Sequence, residues 1–438
     1  MAARSHRRGA FGGRGRRAGL AAGAATVALG TAAAVPTLAS GSEPVPVSLA
    51  QPVGRVTYDL GDQAFVPGAP YEGKSELAAV VHYPTASGTQ KIAPGRHPLI
   101  VVQHGLWATC ADRPAQSGLK KAEKARAAAE KAGDKAEEAR QQKIVEKMNA
   151  RLWAWPCRPG VAPLPSASGY DYLAKKLARQ GFVVVSMGAN GINATSGGQA
   201  PAVYEARARL IDRHLGMWSQ LAADKGPLKS KLKDARTGRP SNVSFAGRVD
   251  LDRVGTLGHS MGGGGVMQHV SDKRHGHWPK GVRVRAALGL APTATWDNEP
   301  VTKVPLAVLW GTCDQVNTGE YVKWNKGRNK APLHGITLTG GNHNYFNTQW
   351  SPSSRQVAGA DDAVSGKRRG HCVSQDGRNE EHRALDETAE RRIAAGYTVA
   401  FFRRYVRGDA SQDALLRGEK ELPGVERGVV DVEFVKPQ

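Results

Sequence analysis

One pentapeptide constrains this chain more than any other feature: Gly258-His259-Ser260-Met261-Gly262, placed after the apolar run Val254-Gly255-Thr256-Leu257 and before Gly263-Gly264-Gly265. Glycines two residues either side of a serine permit a turn so tight that the serine takes a strained backbone conformation and projects its hydroxyl outward. Such a turn sits between a strand and a helix, and the helix N-terminus lends partial positive charge to an oxyanion forming beside the serine. The pattern therefore predicts strand, turn and helix around Ser260, with Gly258 and Gly262 as the residues that make the turn possible.

The surrounding chain repeats the alternation that this unit demands. His97-Pro98-Leu99-Ile100-Val101-Val102-Gln103 and Phe182-Val183-Val184-Val185-Ser186 are near-continuous apolar runs, which is how strands buried on both faces of a parallel sheet read. Further strands are expected at 286–290, 305–310 and 336–338, with helices near 170–178, around 204–221 and after Ser260. A long terminal helix carries Ile393, Tyr397, Phe401 and Tyr405 at i+4 spacing and stops at Gly408. The segment 51–95 reads as an opening antiparallel region. Together these give an α/β fold with a mostly parallel central sheet and helices on both faces, formed as a single domain over 40–438.

Two stretches do not join that alternation. The Ala/Lys/Glu/Arg-rich segment at about 117–150 has high helix propensity, and only Leu119, Ile144, Val145 and Met148 could give it an apolar face. It is expected as a charged helical insertion, a solvated spacer rather than a lid. The loop 351–370 is expected to be exposed and mobile.

The first 39 residues read as an export signal: six arginines up to Arg17, then an uncharged Ala/Gly/Val/Leu run ending near Thr37-Leu38-Ala39. The arginine pairs at 7–8 and 16–17 leave twin-arginine export open. No later stretch approaches the roughly 20 apolar residues of a spanning helix, so a secreted, extracellular protein is expected. Cys110, Cys157, Cys313 and Cys372 contain no C-x-x-C pair and fit an oxidising compartment better than a metal site. Of three possible connectivities, Cys110–Cys157 with Cys313–Cys372 would brace loops beside the proposed catalytic elements. The net charge of +22 points to attraction toward anionic surfaces such as cell-wall polymer. No nucleic-acid recognition module, zinc-finger spacing or Arg/aromatic stripe accompanies it, so nucleic acid is not expected as a partner.

A serine hydroxyl needs a base to take its proton and an acid to fix that base's tautomer. Asp314 follows the apolar strand ending at Trp310 through Gly311-Thr312-Cys313, and His343 follows the next strand through Gly340-Gly341-Asn342. Both fall at carboxyl ends of strands, in the order serine, acid, histidine. Asp297 and the pair Asp361-Asp362 are rival acids. The amides of Leu106, after His104-Gly105, and Met261 are the expected oxyanion donors.

These residues resemble the α/β-hydrolase superfamily. Gly341-Asn342-His343-Asn344-Tyr345-Phe346-Asn347 and the Gln103-His104-Gly105 loop are similar to its secreted bacterial esterase/lipase-type members, and the resemblance covers about 77–407. The departures are the charged insertion, Cys313 adjoining the acid, and an oxyanion loop without extra glycines. The resemblance implies hydrolysis of small-molecule, lipid or polymeric carboxylic esters through an acyl-enzyme, with no cofactor and no metal. A catalytically silent wall- or polymer-binding protein on the same scaffold, and an acyltransferase or peptidase with the same triad, are the alternatives.

Overall fold

The computed structural model describes residues 52–438 except 88, 197–200, 296–298, 318 and 376–378. The expected export signal and the rival acid Asp297 lie outside the described residues. The described residues belong to one compact unit.

Its centre is a ten-stranded sheet. The strands of the chain are β1 (Val53–Asp59), β2 (Ala78–Pro84), β3 (His97–Gln103), β4 (Val183–Met187), β5 (Lys233–Asp234), β6 (Val249–His259), β7 (Val284–Leu290), β8 (Leu306–Gly311), β9 (Leu333–Leu338), β10 (His371–Val373), β11 (Glu381–Arg383) and β12 (Val430–Val435). The order across the large sheet is β12-β9-β8-β7-β6-β3-β4-β2-β1-β5, while β10 and β11 form a separate small ladder. From β4 to β9 every neighbour is parallel. The opening pair β1–β2 is antiparallel, as is β12 at the far edge.

The helices are α1 (Arg113–Ala132), α2 (Lys135–Leu152), α3 (Asp171–Arg179), α4 (Asn190–Thr195), α5 (Ala202–Ala222), α6 (Met261–Val270), α7 (Glu320–Asn325), α8 (Glu387–Arg407) and α9 (Asp413–Leu416). Alternation along β3 shows how the sheet is covered. Leu99 and Val101 join one core with Leu210, Leu215 and Val266 of α5 and α6, whereas Ile100 and Val102 join another with Leu173, Leu177, Phe401 and Phe402 of α3 and α8. Period-two strands with both faces apolar require a helical layer on each side. The terminal helix ends on Gly408 in the left-handed conformation, with Asp386 capping its start.

The charged insertion is a helical hairpin. Asp112 and Asp134 cap the two helices, and Gly133 at φ +74° ends the first. Ala115, Ala122 and Ala129 of α1, seven residues apart, are buried, as are Gln141, Val145 and Leu152 of α2, and the two helices pack on each other. The reading of a solvated spacer is corrected at the hairpin's foot. There Leu119, Met148, Trp107 and Trp153 pack around Ala108, Ala115, Leu152, Leu164 and Val357 as a third small core. The disulfide Cys110–Cys157 and the ion pairs of Asp112 with Arg151 and Arg158 close the base.

Candidate active site

Strand β6 runs into Ser260 and α6 begins at the next residue. Ser260 has φ +56°, a left-handed conformation that costs a non-glycine residue about 1–3 kcal/mol. Backbone bonds on both sides hold it: the Ser260 amide donates to the Leu290 carbonyl (3.0 Å), and the Ser260 carbonyl accepts from Thr293 (2.9 Å) and Gly264 (3.1 Å). A Cβ on Gly258 would lie 2.2 Å from the Gly262 carbonyl oxygen, and one on Gly262 would lie 2.3 Å from that of Gln103. Both glycines are therefore needed for space, because backbone meets backbone there.

The loop after β3 lies against this turn. A Cβ on Gly105 would fall 2.5 Å from the Ser260 Cβ and 3.1 Å from the Met261 nitrogen. Only glycine allows that approach, and Leu106 follows immediately. Among the described residues neither the Leu106 nor the Met261 amide donates a hydrogen bond. The loop's carbonyls, by contrast, are bound from behind. Fully buried Arg207 of α5 donates to the His104 carbonyl (3.0 Å) and to the Asn193 side-chain oxygen, and Asn193 in turn donates to the Gly105 carbonyl (2.9 Å). Burial lowers the Arg207 guanidinium to about 10. His104 is structural: its Nε2 accepts from the Ala189 amide (2.9 Å) and its Nδ1 donates to the Gly105 carbonyl (3.0 Å). Burial, with the Arg207 charge, pushes it down to about 3, so it stays neutral.

Asp314 and His343 meet at the ends of β8 and β9. His343 Nδ1 donates to Asp314 Oδ2 (2.8 Å), and Asp314 Oδ1 accepts from the Val316 (2.7 Å) and Asn317 (2.9 Å) amides. That bond assigns the proton to Nδ1 and makes Nε2 the basic nitrogen. The two turns pack backbone on backbone, with the Cys313 amide donating to the Gly341 carbonyl (3.0 Å). Cys313–Cys372 ties the acid turn to β10. Ser260, Asp314 and His343 are all buried, at 5 %, 0 % and 3 % exposure, in a site largely withdrawn from bulk water.

The rival acids take another role, and the loop 351–370, exposed over most of its length as expected, is anchored at a few points. Ser351 and Val357 are buried, and Asp362 lies under the histidine turn, accepting from the amides of Asn344 (3.0 Å), His343 (3.3 Å) and Gln315 (3.3 Å). Asp361 accepts from the Asn342 side chain. Burial opposes a charged imidazole at His343, but Asp314, with Asp362 behind it, outweighs burial and raises its pKa above the ordinary histidine value. Burial also raises the Asp362 carboxyl above its usual range, against the pull of His343.

Besides Arg207 and Asn193, sequence reasoning missed three further supports. His259, a variable position in the motif, donates from Nε2 to the His343 carbonyl (3.0 Å), while its Nδ1 accepts from Tyr170 (2.9 Å). Burial and the nearby His343 hold it well below the ordinary pKa. Trp350, fully buried, lies 4.8 Å from the His259 ring and stacks on Trp107 at 4.7 Å. Glu390 of α8 accepts from the Asn342 amide (2.7 Å). A buried histidine directly before the serine was the one signal available; the others come from distant segments with no local pattern.

Residues 157–356 match a family model described as PETase, PET hydrolase-like. No curated protein matches the chain. The matched stretch spans the strands that bear Ser260, Asp314 and His343 and leaves the hairpin and the Gly105 loop outside it. The sheet order, the left-handed serine turn and this match agree on an α/β-hydrolase fold and on a serine hydrolase acting on ester bonds, similar to bacterial esterase/lipase-like proteins.

Proposed function

We propose that Ser260, His343 and Asp314 are the catalytic triad of a secreted carboxylic ester hydrolase. Ser260 Oγ attacks the ester carbonyl while His343 Nε2 takes its proton, and Asp314 holds the imidazole and stabilises its charged form. The amides of Leu106 and Met261 receive the oxyanion. His343 then returns the proton to the leaving alcohol, and water, activated by the same nitrogen, releases the acid. The observation that carries this reading is the left-handed Ser260 turn with the Gly105 loop against it and the Asp314–His343 bond on the neighbouring strands. The similarity to PET hydrolase-like proteins favours polymeric esters of carboxylic acids as substrates. Two disulfides support export to an oxidising compartment, and no helix among the described residues is long and apolar enough to cross a membrane.

The test compares turnover of p-nitrophenyl acetate, butyrate and palmitate by the mature protein and by Ser260→Ala, with fluorophosphonate labelling of both. Loss of label and of turnover by about 10⁶-fold in the variant is expected. Labelling that survives the substitution removes Ser260 from the mechanism, and absence of turnover and label in the unsubstituted protein favours a binding role.

A further inference from the structure

The hairpin α1–α2 is not needed for the sheet or for the site's hydrogen bonds, yet it is a built object. The disulfide, the Asp112 ion pairs and the third small core fix its foot beside Trp107, the residue after Leu106. Its charge is sorted by face. On α1 the buried direction is set by Ala115, Ala122 and Ala129. At about 100° per residue, Arg113, Lys120, Lys124 and Lys131 all fall within about 20° of the opposite direction. All four are exposed. The acids of that helix, Glu123 and Glu130, lie on one flank, about 80–100° from the buried seam.

The hairpin's acids that form ion pairs, Glu137 and Glu138, are taken up by Arg140 and Lys135 of α2. Among the described residues none of the four outward cations of α1 has an ion-pair partner. The stretch from Arg113 to Leu152 holds eleven Lys and Arg against six Asp and Glu. A helix selected only for solubility would gain from i,i+4 pairs of opposite sign on its exposed face; this face is of one sign.

We infer that the outward face of α1 is a docking ridge for a linear polyanion, a chain carrying closely spaced phosphates or carboxylates. The row is about 27 Å long at 1.5 Å per residue and one side chain wide, which suits an extended chain. A bilayer is a poorer fit, because the residues between the cations are Ser117, Ala127 and Ala128, with no large apolar side chain to enter the acyl region. Binding is driven by release of the counterions condensed on the polymer, so it weakens steeply with salt. Docked there, the enzyme stays on a polymer surface while its site works on esters carried by or lying against it.

The experiment measures retention of the full-length mature protein on long-chain inorganic polyphosphate, on poly-glutamate and on phosphatidylglycerol-containing vesicles over a sodium chloride series. It is run with K120E/K124E/K131E, the milder K120Q/K124Q/K131Q, and a matched reversal elsewhere, K225E/K231E/K280E. Thermal melting serves as the fold control, so the result does not depend on esterase activity. The ridge reversal should weaken polymer binding at least about tenfold at low salt and flatten the salt dependence, with the glutamine variant between it and the unsubstituted protein. Preference between polyphosphate and poly-glutamate assigns the anion. Equal losses in ridge and control variants reduce the effect to overall charge and overturn the proposal, and tighter binding to vesicles than to either polymer overturns it in favour of a membrane.

Discussion

The serine turn and the histidine turn sit at the carboxyl ends of strands of the same sheet but are held by different physics. Around Ser260 almost everything is backbone: glycine against carbonyl at Gly258 and Gly262, amide-to-carbonyl bonds to Leu290, Thr293 and Gly264, and the Gly105 loop pressed on Cβ. Around His343 the anchors are side chains, namely Asp314 on the ring, Asp362 on the His343 and Asn344 amides, Glu390 on the Asn342 amide and His259 on the carbonyl. A backbone-built turn is sterically fixed and electrostatically plain. A side-chain-built turn can be tuned in pKa without moving an atom of the chain. Substitutions on the serine side should therefore act through geometry, and those on the histidine side through charge.

Gly262→Ala makes the sharpest break on the serine side. The new Cβ meets the carbonyl oxygens of Gln103 at 2.3 Å and His104 at 2.6 Å, and neither can swing aside as a side-chain tip would. The Gly105 loop must shift by about an ångström, a displacement worth about 10² in rate. Esterase kcat/KM should fall about hundredfold at every pH, with the pH midpoint unmoved. A moved midpoint with little loss of rate would contradict the geometric account.

Asp362→Asn tests the other half. Removing its charge withdraws one of the groups that raise the His343 pKa. The imidazole must be neutral to act as base, so activity falls as pH drops through that pKa, and the acid limb of the kcat/KM profile should move to lower pH. The amide also turns an NH₂ group toward backbone donors that the carboxylate accepts, so the maximum should fall about tenfold through a looser histidine turn. A pH profile from 5 to 9 checks both. A profile lowered in height but unmoved along the pH axis would make Asp362 a purely structural anchor.

The same division explains what the sequence made legible. The Ser260 turn was readable because backbone crowding forces glycine at fixed offsets, and fixed offsets are a sequence pattern. The strands were readable because residues such as Leu99 and Ile100 alternate between two buried faces. Asp314 and His343 were placed by strand ends alone. Asp362 was visible only as a rival acid, because its loop, rich in Ser, Gly, Asp and Arg and exposed over most of its length, gives no sign of the few residues that anchor it. The carboxylate that binds a neighbouring amide and the one that dissolves in water are the same residue in sequence. The hairpin's foot was missed for a related reason. Leu119 and Met148 are too sparse to predict a core until Trp107, Leu164 and Val357, from three other segments, supply the remainder.

Glu390→Gln carries the comparison to its smallest effect, and separates charge from shape at a single position. Burial holds the Glu390 carboxyl well above the ordinary range, against the Asn342 amide that would favour its anion, and Asp362 and Asp314 push the same way as burial. A carboxyl raised in the folded protein gives its full stabilisation only below the unfolded-chain pKa of about 4.3. That contribution is lost as pH rises through the folded value, because the unfolded chain releases a proton that the folded one retains. The amide keeps the acceptor for Asn342 and has no proton to lose. Glu390→Gln should therefore melt near the unsubstituted protein at pH 4–5 and gain on it progressively toward pH 8, while kcat/KM changes by less than about threefold, since no charge near His343 is removed. A melting-temperature difference that stays flat with pH would mean that Glu390 is ionised in the folded protein. The histidine turn would then rest on three anions rather than two, and a clear downward shift of the acid limb in the same variant would be its kinetic sign.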